Sequence, residues 1–236
     1  MIMMRLFPIF RQHNFIVHAP NSNLLKGDFM KLQGKIKWIS LLILLSLGMG
    51  QAIARPVEVT GLAPEKELSD DSALRPGLLP IYIYKLFKSV DEMPKLDIKT
   101  TTEKVGAPIL FLDHEFGKKD MVFDSGVSQG IGIQMNGFLK FSEPGKYTLK
   151  TKSNDGICVW ICDKRIVYHP GIHTDHFSND VILDIQKPGW YPLMIKYFQR
   201  VGTSAIAMYW KLPDKTNFSV IPAEAYSYKP VSKGSS

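Results

Sequence analysis

Asn154-Asp155-Gly156 sets a carboxamide beside a carboxylate, between the alternating "KYTLKTKS" and the apolar "ICVWIC" that holds both cysteines of the chain. Two readings compete for that tripeptide. As backbone, Asn, Asp and Gly tolerate the positive φ of a tight hairpin, and pattern alone favours this reading. As side chains, the Asp155 carboxylate and the Asn154 amide oxygen are hard donors able to hold a ligand or a cation.

A second cluster, His169, His173, Asp175 and His176, falls within "YHPGIHTDHFSND". Imidazoles beside a carboxylate suit a transition ion such as Zn²⁺. Pro170 and Gly171 mark the segment as a loop, and ordinary loop residues are the stronger reading. Cys158 and Cys162 would share one face of a strand, about 13 Å apart, whereas a disulfide needs Cα atoms within about 7 Å. They read as buried thiols acting as small hydrophobes. Trp160 and Trp210 lie within apolar strand patterns and read as core, whereas Trp190, just after a Pro-Gly turn, is expected to be the most accessible. No Gly-x-Ser-x-Gly elbow, Walker A loop or His-Glu-x-x-His motif is present, and nothing in the spacing of Asp113, His114 and Glu115 demands a site. The expectation is a binding module and not an enzyme.

The elements that would position these residues are strands. In "KYTLKTKS", Tyr147, Leu149 and Thr151 fall on one face and Lys146, Thr148, Lys150 and Lys152 on the other, the alternation of a strand with one wet side. "DVILDIQ" repeats it. "WYPLMIKYF" and "SAIAMYWKL" are apolar on both faces, as in central strands of a sandwich. Further strands are expected at 79–87, 108–116, 137–142 and 157–162, with at most one helical turn in "SVDEMPKLDI". Pro144-Gly145 and Lys187-Pro188-Gly189 each open into a strand, Pro presetting φ and Gly supplying a positive one. Short strands at regular spacing with Pro/Gly turns predict an all-β, antiparallel β-sandwich over residues 78–228.

The ends read differently. Residues 1–29 show neither helical nor strand periodicity and are expected to be an upstream extension, with Met30 the natural start. Lys31, Lys35 and Lys37 precede "WISLLILLSL", and Ala52-Ile53-Ala54 follows with small residues three apart, which predicts a signal peptide over 30–54 and a secreted or periplasmic domain. The apolar run is shorter than the roughly 20 residues a membrane-spanning helix needs, so membrane contact is expected only during export. Residues 55–77, with three prolines and "PEKELSDD", are expected to be a disordered linker, and 229–236 a flexible tail. The formal charge is +7, but removing residues 1–54 leaves 23 basic and 21 acidic side chains, a net +2. Such a charge makes no electrostatic case for nucleic acid as a partner.

Several motifs in fixed order carry a family resemblance. They are Pro144-Gly145-Lys146-Tyr147-Thr148-Leu149, then Ser153-Asn154-Asp155-Gly156, Trp160-Ile161-Cys162-Asp163, Gly189-Trp190-Tyr191, and Trp210 with Pro213. Together, over about Gly77 to Tyr228, this resembles the PA14 domain, a β-sandwich module of bacterial toxins, glycosidases and fungal adhesins. In carbohydrate-binding members two adjacent Asp residues, joined by a cis peptide, hold a Ca²⁺ that coordinates sugar hydroxyls. The resemblance therefore implies a glycan and Ca²⁺ site at Asn154 and Asp155, with one negative charge fewer than in those members. The family's later ligand loop corresponds roughly to "FQRVGTS", where Gln199 and Arg200 are candidates to hydrogen-bond a glycan. The implied partner is a glycan. The alternative is a structural or protein-interaction module of the cell envelope, in which the turn serves only the fold.

Overall fold

The computed structural model describes residues 56–68 and 73–230. The expectations for residues 1–54 and for the end of the tail, 231–236, lie outside the described residues.

Fifteen strands are found among the described residues. They are β1 (Val57–Val59), β2 (Arg75–Pro76), β3 (Leu79–Tyr84), β4 (Lys104–Val105), β5 (Asp113–Phe116), β6 (Ile131–Phe141), β7 (Gly145–Asn154), β8 (Ile157–Ile161), β9 (Lys164–His169), β10 (His176–Phe177), β11 (Val181–Ile185), β12 (Gly189–Gln199), β13 (Ser204–Lys211), β14 (Ser219–Val220) and β15 (Tyr226–Tyr228). One sheet runs β1-β11-β7-β13-β14, with β10 added to β7 and β5 to β13. The other runs β2-β15-β6-β12-β8-β9, with β3 paired to β6 and β4 to β3. Helical turns among the described residues are 3₁₀, as at Lys66–Leu68, Val90–Glu92 and Ala223–Ala225. No helix among the described residues is long and apolar enough to cross a membrane.

The alternation read from the sequence points as expected. Tyr147 and Leu149 of β7, Leu183 and Ile185 of β11, and Ile206, Met208 and Trp210 of β13 face Met135, Leu139, Tyr191 and Ile195 of the other sheet in one continuous core. Burial of that apolar area is the dominant force holding the two layers together. Tyr147 and Tyr191 satisfy their buried hydroxyls by donating to the carbonyls of Glu143 and Lys187, each four residues back, where the Pro-Gly turns lie. Gly145 and Gly189 in those turns have φ of +138° and +145°, the positive values expected of them.

Four local expectations are corrected. Asn154-Asp155-Gly156 is no hairpin: β7 lies in one sheet and β8 in the other, so the tripeptide carries the chain across the sandwich. The hairpin sits one strand later, where Cys162 (φ 49°) and Asp163 (φ 61°) form a two-residue turn between β8 and an unanticipated strand, β9. The expected linker contributes β1, parallel to β11 through Val57↔Val181 and Val59↔Leu183, and buries Leu62, Leu68 and Leu74. Its few apolar residues suffice because the covering partners come from the sandwich. Finally, the strand expected over 108–116 is regular only at 113–116, and the one expected over 137–142 begins at Ile131.

Candidate functional site

The crossover from β7 to β8 places Asn154 and Asp155 at one end of the sandwich, joined by a cis peptide as the resemblance implies. Asp155 is 3% exposed. Its Oδ2 accepts the backbone N–H of Arg200 at 2.8 Å and its Oδ1 that of His173 at 3.2 Å. Burial pushes its pKa above the usual carboxylate range, and the two N–H donors pull back against that rise. Its own N–H donates to the carbonyl of Phe198, and the N–H of Phe198 to that of Gly156, so β12 runs alongside the crossover. The buried hydroxyl of Tyr197 donates to the Asn154 carbonyl at 2.6 Å.

Gly156 is needed here for space and not for φ. A Cβ at that position would lie 2.4 Å from the Pro170 carbonyl oxygen and 2.6 Å from a Phe198 ring carbon. The chain after β9 therefore presses directly onto the crossover backbone, which carries the 170s loop to the Asp155 carboxylate.

Asn154 turns its amide the other way. Nδ2 donates to Asp175 Oδ1 at 3.0 Å and lies 3.5 Å from Thr203 Oγ1. Asp175 Oδ2 in turn meets Lys152 Nζ at 2.9 Å, and Lys152 also pairs with Glu115. Lys152 holds the Asp175 carboxyl below its usual pKa.

Gln199 and Arg200 do not present their side chains as the resemblance suggests. Gln199 is fully buried and spends its amide N–H₂ on the carbonyls of Gly202 and Thr203, beneath the loop it was expected to decorate. The Arg200 guanidinium donates to the carbonyls of Leu86 and Phe87, both at 2.9 Å. Both residues shape the loops around Asp155. The sequence held a hint of Gln199's place, since an inward residue follows from the period of "WYPLMIKYFQ". No local signal marked Tyr197, Lys152 or Asp175 as partners of the turn.

The donor set is poor in carboxylates for a resident Ca²⁺. That ion takes about six to eight oxygens. Here one unpaired carboxylate is available, both of its oxygens already hold backbone N–H groups, and the nearest second carboxylate is neutralised by Lys152. The histidine cluster does not fit Zn²⁺. The rings of His169, His173 and His176 pack against one another, with centroids 4.0, 4.9 and 6.1 Å apart, and among the described residues no three His, Cys, Asp or Glu are arranged to hold a metal. His169 is held below the usual imidazole range by burial and then by its two neighbours.

Cys158 and Cys162 are free, and burial pushes the Cys158 thiol up to about 12, which leaves it inert. Trp190 is the reverse of the expectation: it is 5% exposed, covered by Leu68 and Leu74 from the segment expected to be a linker. Trp210 is core as expected. Trp160 is only half-buried, at the edge of a small second cluster around Phe87 and Phe198.

No curated protein matches the chain. Among solved structures the fold is similar to the PA14 domain of the antifreeze protein MpAFP (TM-score 0.53, 13% identity, covering 70% of this chain and 96% of that one). It is also similar to the A domain of epithelial adhesin 9 from Candida glabrata, solved in complex with Galβ1-4GlcNAc (TM-score 0.51, 11% identity, 76% and 99% covered). A third neighbour is an anti-sigma factor domain-containing protein from Clostridium clariflavum (TM-score 0.51, 17% identity), of which the chain spans 50% while 69% of this chain is covered. At such identities the likeness is one of fold. The PA14 domain family model matches residues 117–224, and the sandwich found around them agrees, so residues 117–224 are a PA14 domain.

Proposed function

We propose that this is an exported, non-catalytic carbohydrate-binding domain of the bacterial envelope, taking a glycan at the loop end around Asn154 and Asp155 without a resident metal ion. The observation that carries the reading is the convergence of three loops on one buried carboxylate. Asp155 holds the backbone of His173 and of Arg200, and Arg200 extends the tie to Leu86 and Phe87. Loops fixed in this way bind with little further loss of conformational entropy. The surface they frame mixes Leu86, Ile172 and Val201, each more than half exposed, with the polar side chains of Thr203 and Asp175. Apolar and hydrogen-bonding groups side by side suit the C–H faces and hydroxyls of a pyranose. The galactoside bound by the adhesin 9 domain, on a similar fold, supports this choice of ligand class.

On this reading Asn154 and Asp155 position the surface, while Ile172, Val201, Thr203 and Asp175 touch the ligand. The test is a glycan array probed with the full chain and with an Ile172→Asp/Val201→Asp variant. Retention of a defined glycan by the wild type, lost in the variant, is the expected result. The second reading is a protein contact in the envelope through the same exposed apolar side chains, and an array on which no glycan is retained would favour it.

A further inference from the structure

A sandwich sheet that faces solvent on one side is expected to be polar there. The outer face of the sheet built on β7 and β13 departs from that. With Tyr147, Leu149, Ile206 and Met208 in the core, the alternation turns Lys150 of β7 and its cross-strand neighbour Tyr209 outward, and Lys211 follows Tyr209 on the same face. Phe177 of β10 lies opposite Lys152, and its ring centroid is 5.8 Å from that of Tyr209. Phe218, just before β14, completes a strip of three aromatic rings with lysines between them.

The rings hold the ammonium groups in place. Lys150 Nζ lies 3.9 Å from the Phe218 ring centre and 4.9 Å from that of Phe177, and Lys211 Nζ lies 5.4 Å from Phe218. Such contacts fix a long side chain without neutralising its charge. The neighbouring lysines differ: Lys146 pairs with Glu58, and Lys152 with Glu115 and Asp175. Among the described residues neither Lys150 nor Lys211 forms an ion pair. The strip thus carries two ordered, uncompensated positive charges beside Phe177, which is 49% exposed.

We propose that this face binds an acidic polysaccharide, with Lys150 and Lys211 meeting its carboxylates and Phe177 and Tyr209 carrying the apolar faces of its sugar rings. Charge complementarity selects a polyanion, and the spacing of charge selects among polyanions. Nucleic acid is held by many phosphate contacts. Here only two free ammonium groups are present, and on the same sheet Glu58, Glu115 and Asp113 are engaged by Lys146, Lys152 and Tyr209. A chain with sparse carboxylates and apolar ring faces fits such a strip better. The surface is separate from the loop end, since Lys150 lies four residues along β7 from Asn154, roughly 13 Å away.

The test is binding of the full chain to oligogalacturonate, a neutral oligosaccharide of equal length, a single-stranded oligonucleotide and phosphatidylglycerol vesicles. The wild type should prefer oligogalacturonate and lose it as salt rises. Lys150→Gln/Lys211→Gln should weaken that binding about tenfold, as expected for two exposed charge contacts, and Lys150→Arg/Lys211→Arg should restore it. Phe177→Ala should weaken it with both lysines intact. Ile172→Asp/Val201→Asp, on the separate loop surface, should leave it unchanged. Equal retention of the neutral oligosaccharide by the Ile172→Asp/Val201→Asp variant, full binding by the Gln variant, or a preference for the oligonucleotide or the vesicles would overturn the proposal.

Discussion

The backbone N–H of Arg200 donates to Asp155 Oδ2 at 2.8 Å, while the guanidinium of the same residue holds the 86–87 carbonyls. One arginine thus joins the crossover between the sheets to the loop after β3. With His173 on the other carboxylate oxygen, the loop end is organised from inside by a group that hardly touches solvent.

Asp155→Ala should therefore destabilise the fold as well as disturb the loops. It leaves two buried N–H groups without acceptors, at about 1–3 kcal/mol each. For a domain of this size a loss of about 3 kcal/mol lowers Tm by roughly 6–12 °C. Differential scanning calorimetry measures it, and a change below about 2 °C would contradict the carboxylate's organising role.

Gly156→Ala tests the close approach of the 170s loop. The added Cβ meets a backbone carbonyl at 2.4 Å, which cannot be relieved by a rotamer change. The expected cost is at least about 2 kcal/mol, typical of overpacking against a rigid neighbour. Urea denaturation gives the value, and a near-neutral result would mean that Pro170 moves freely.

Calcium should not stabilise the wild type. A ligand present at about 100 times its Kd and bound only to the folded state adds about 2.7 kcal/mol, a rise of roughly 5–11 °C here. Thermal melts in EDTA and in millimolar Ca²⁺ should coincide. A Ca²⁺-dependent rise that Asp155→Ala abolishes would restore the metal site implied by the resemblance.

Acidification should loosen the histidine loop. His169 stays neutral in the fold below the usual imidazole value of about 6.5, whereas the unfolded chain takes up its proton there. Its contribution is fully present above that value and lost as pH falls through it toward the folded one. Tm should drop between about pH 7.5 and about pH 5.5, and less so in His169→Gln. Asp155 acts with the opposite sign: its raised pKa sheds stability as pH rises from the ordinary carboxylate value of about 3.9 toward its own. An equal drop in wild type and His169→Gln would show that the imidazole is not responsible.

The amino-acid sequence by itself determined the sandwich. Alternation in 146–152 and 181–185, apolar runs in 190–198 and 204–210, and two Pro-Gly turns are local properties, and each strand lies where they put it. Only the tertiary structure decided what Asn154-Asp155-Gly156 does. A hairpin and a sheet-to-sheet crossover share the same turn residues, and the difference lies in whether β8 pairs with β7 or with β12, whose paired residues, 193–197, lie more than 30 positions further along. The same holds for Trp190, hidden by leucines from over a hundred residues earlier. Periodicity reports which face of an element is apolar; which element covers that face is settled by contacts between residues far apart in the chain, and these leave no local trace.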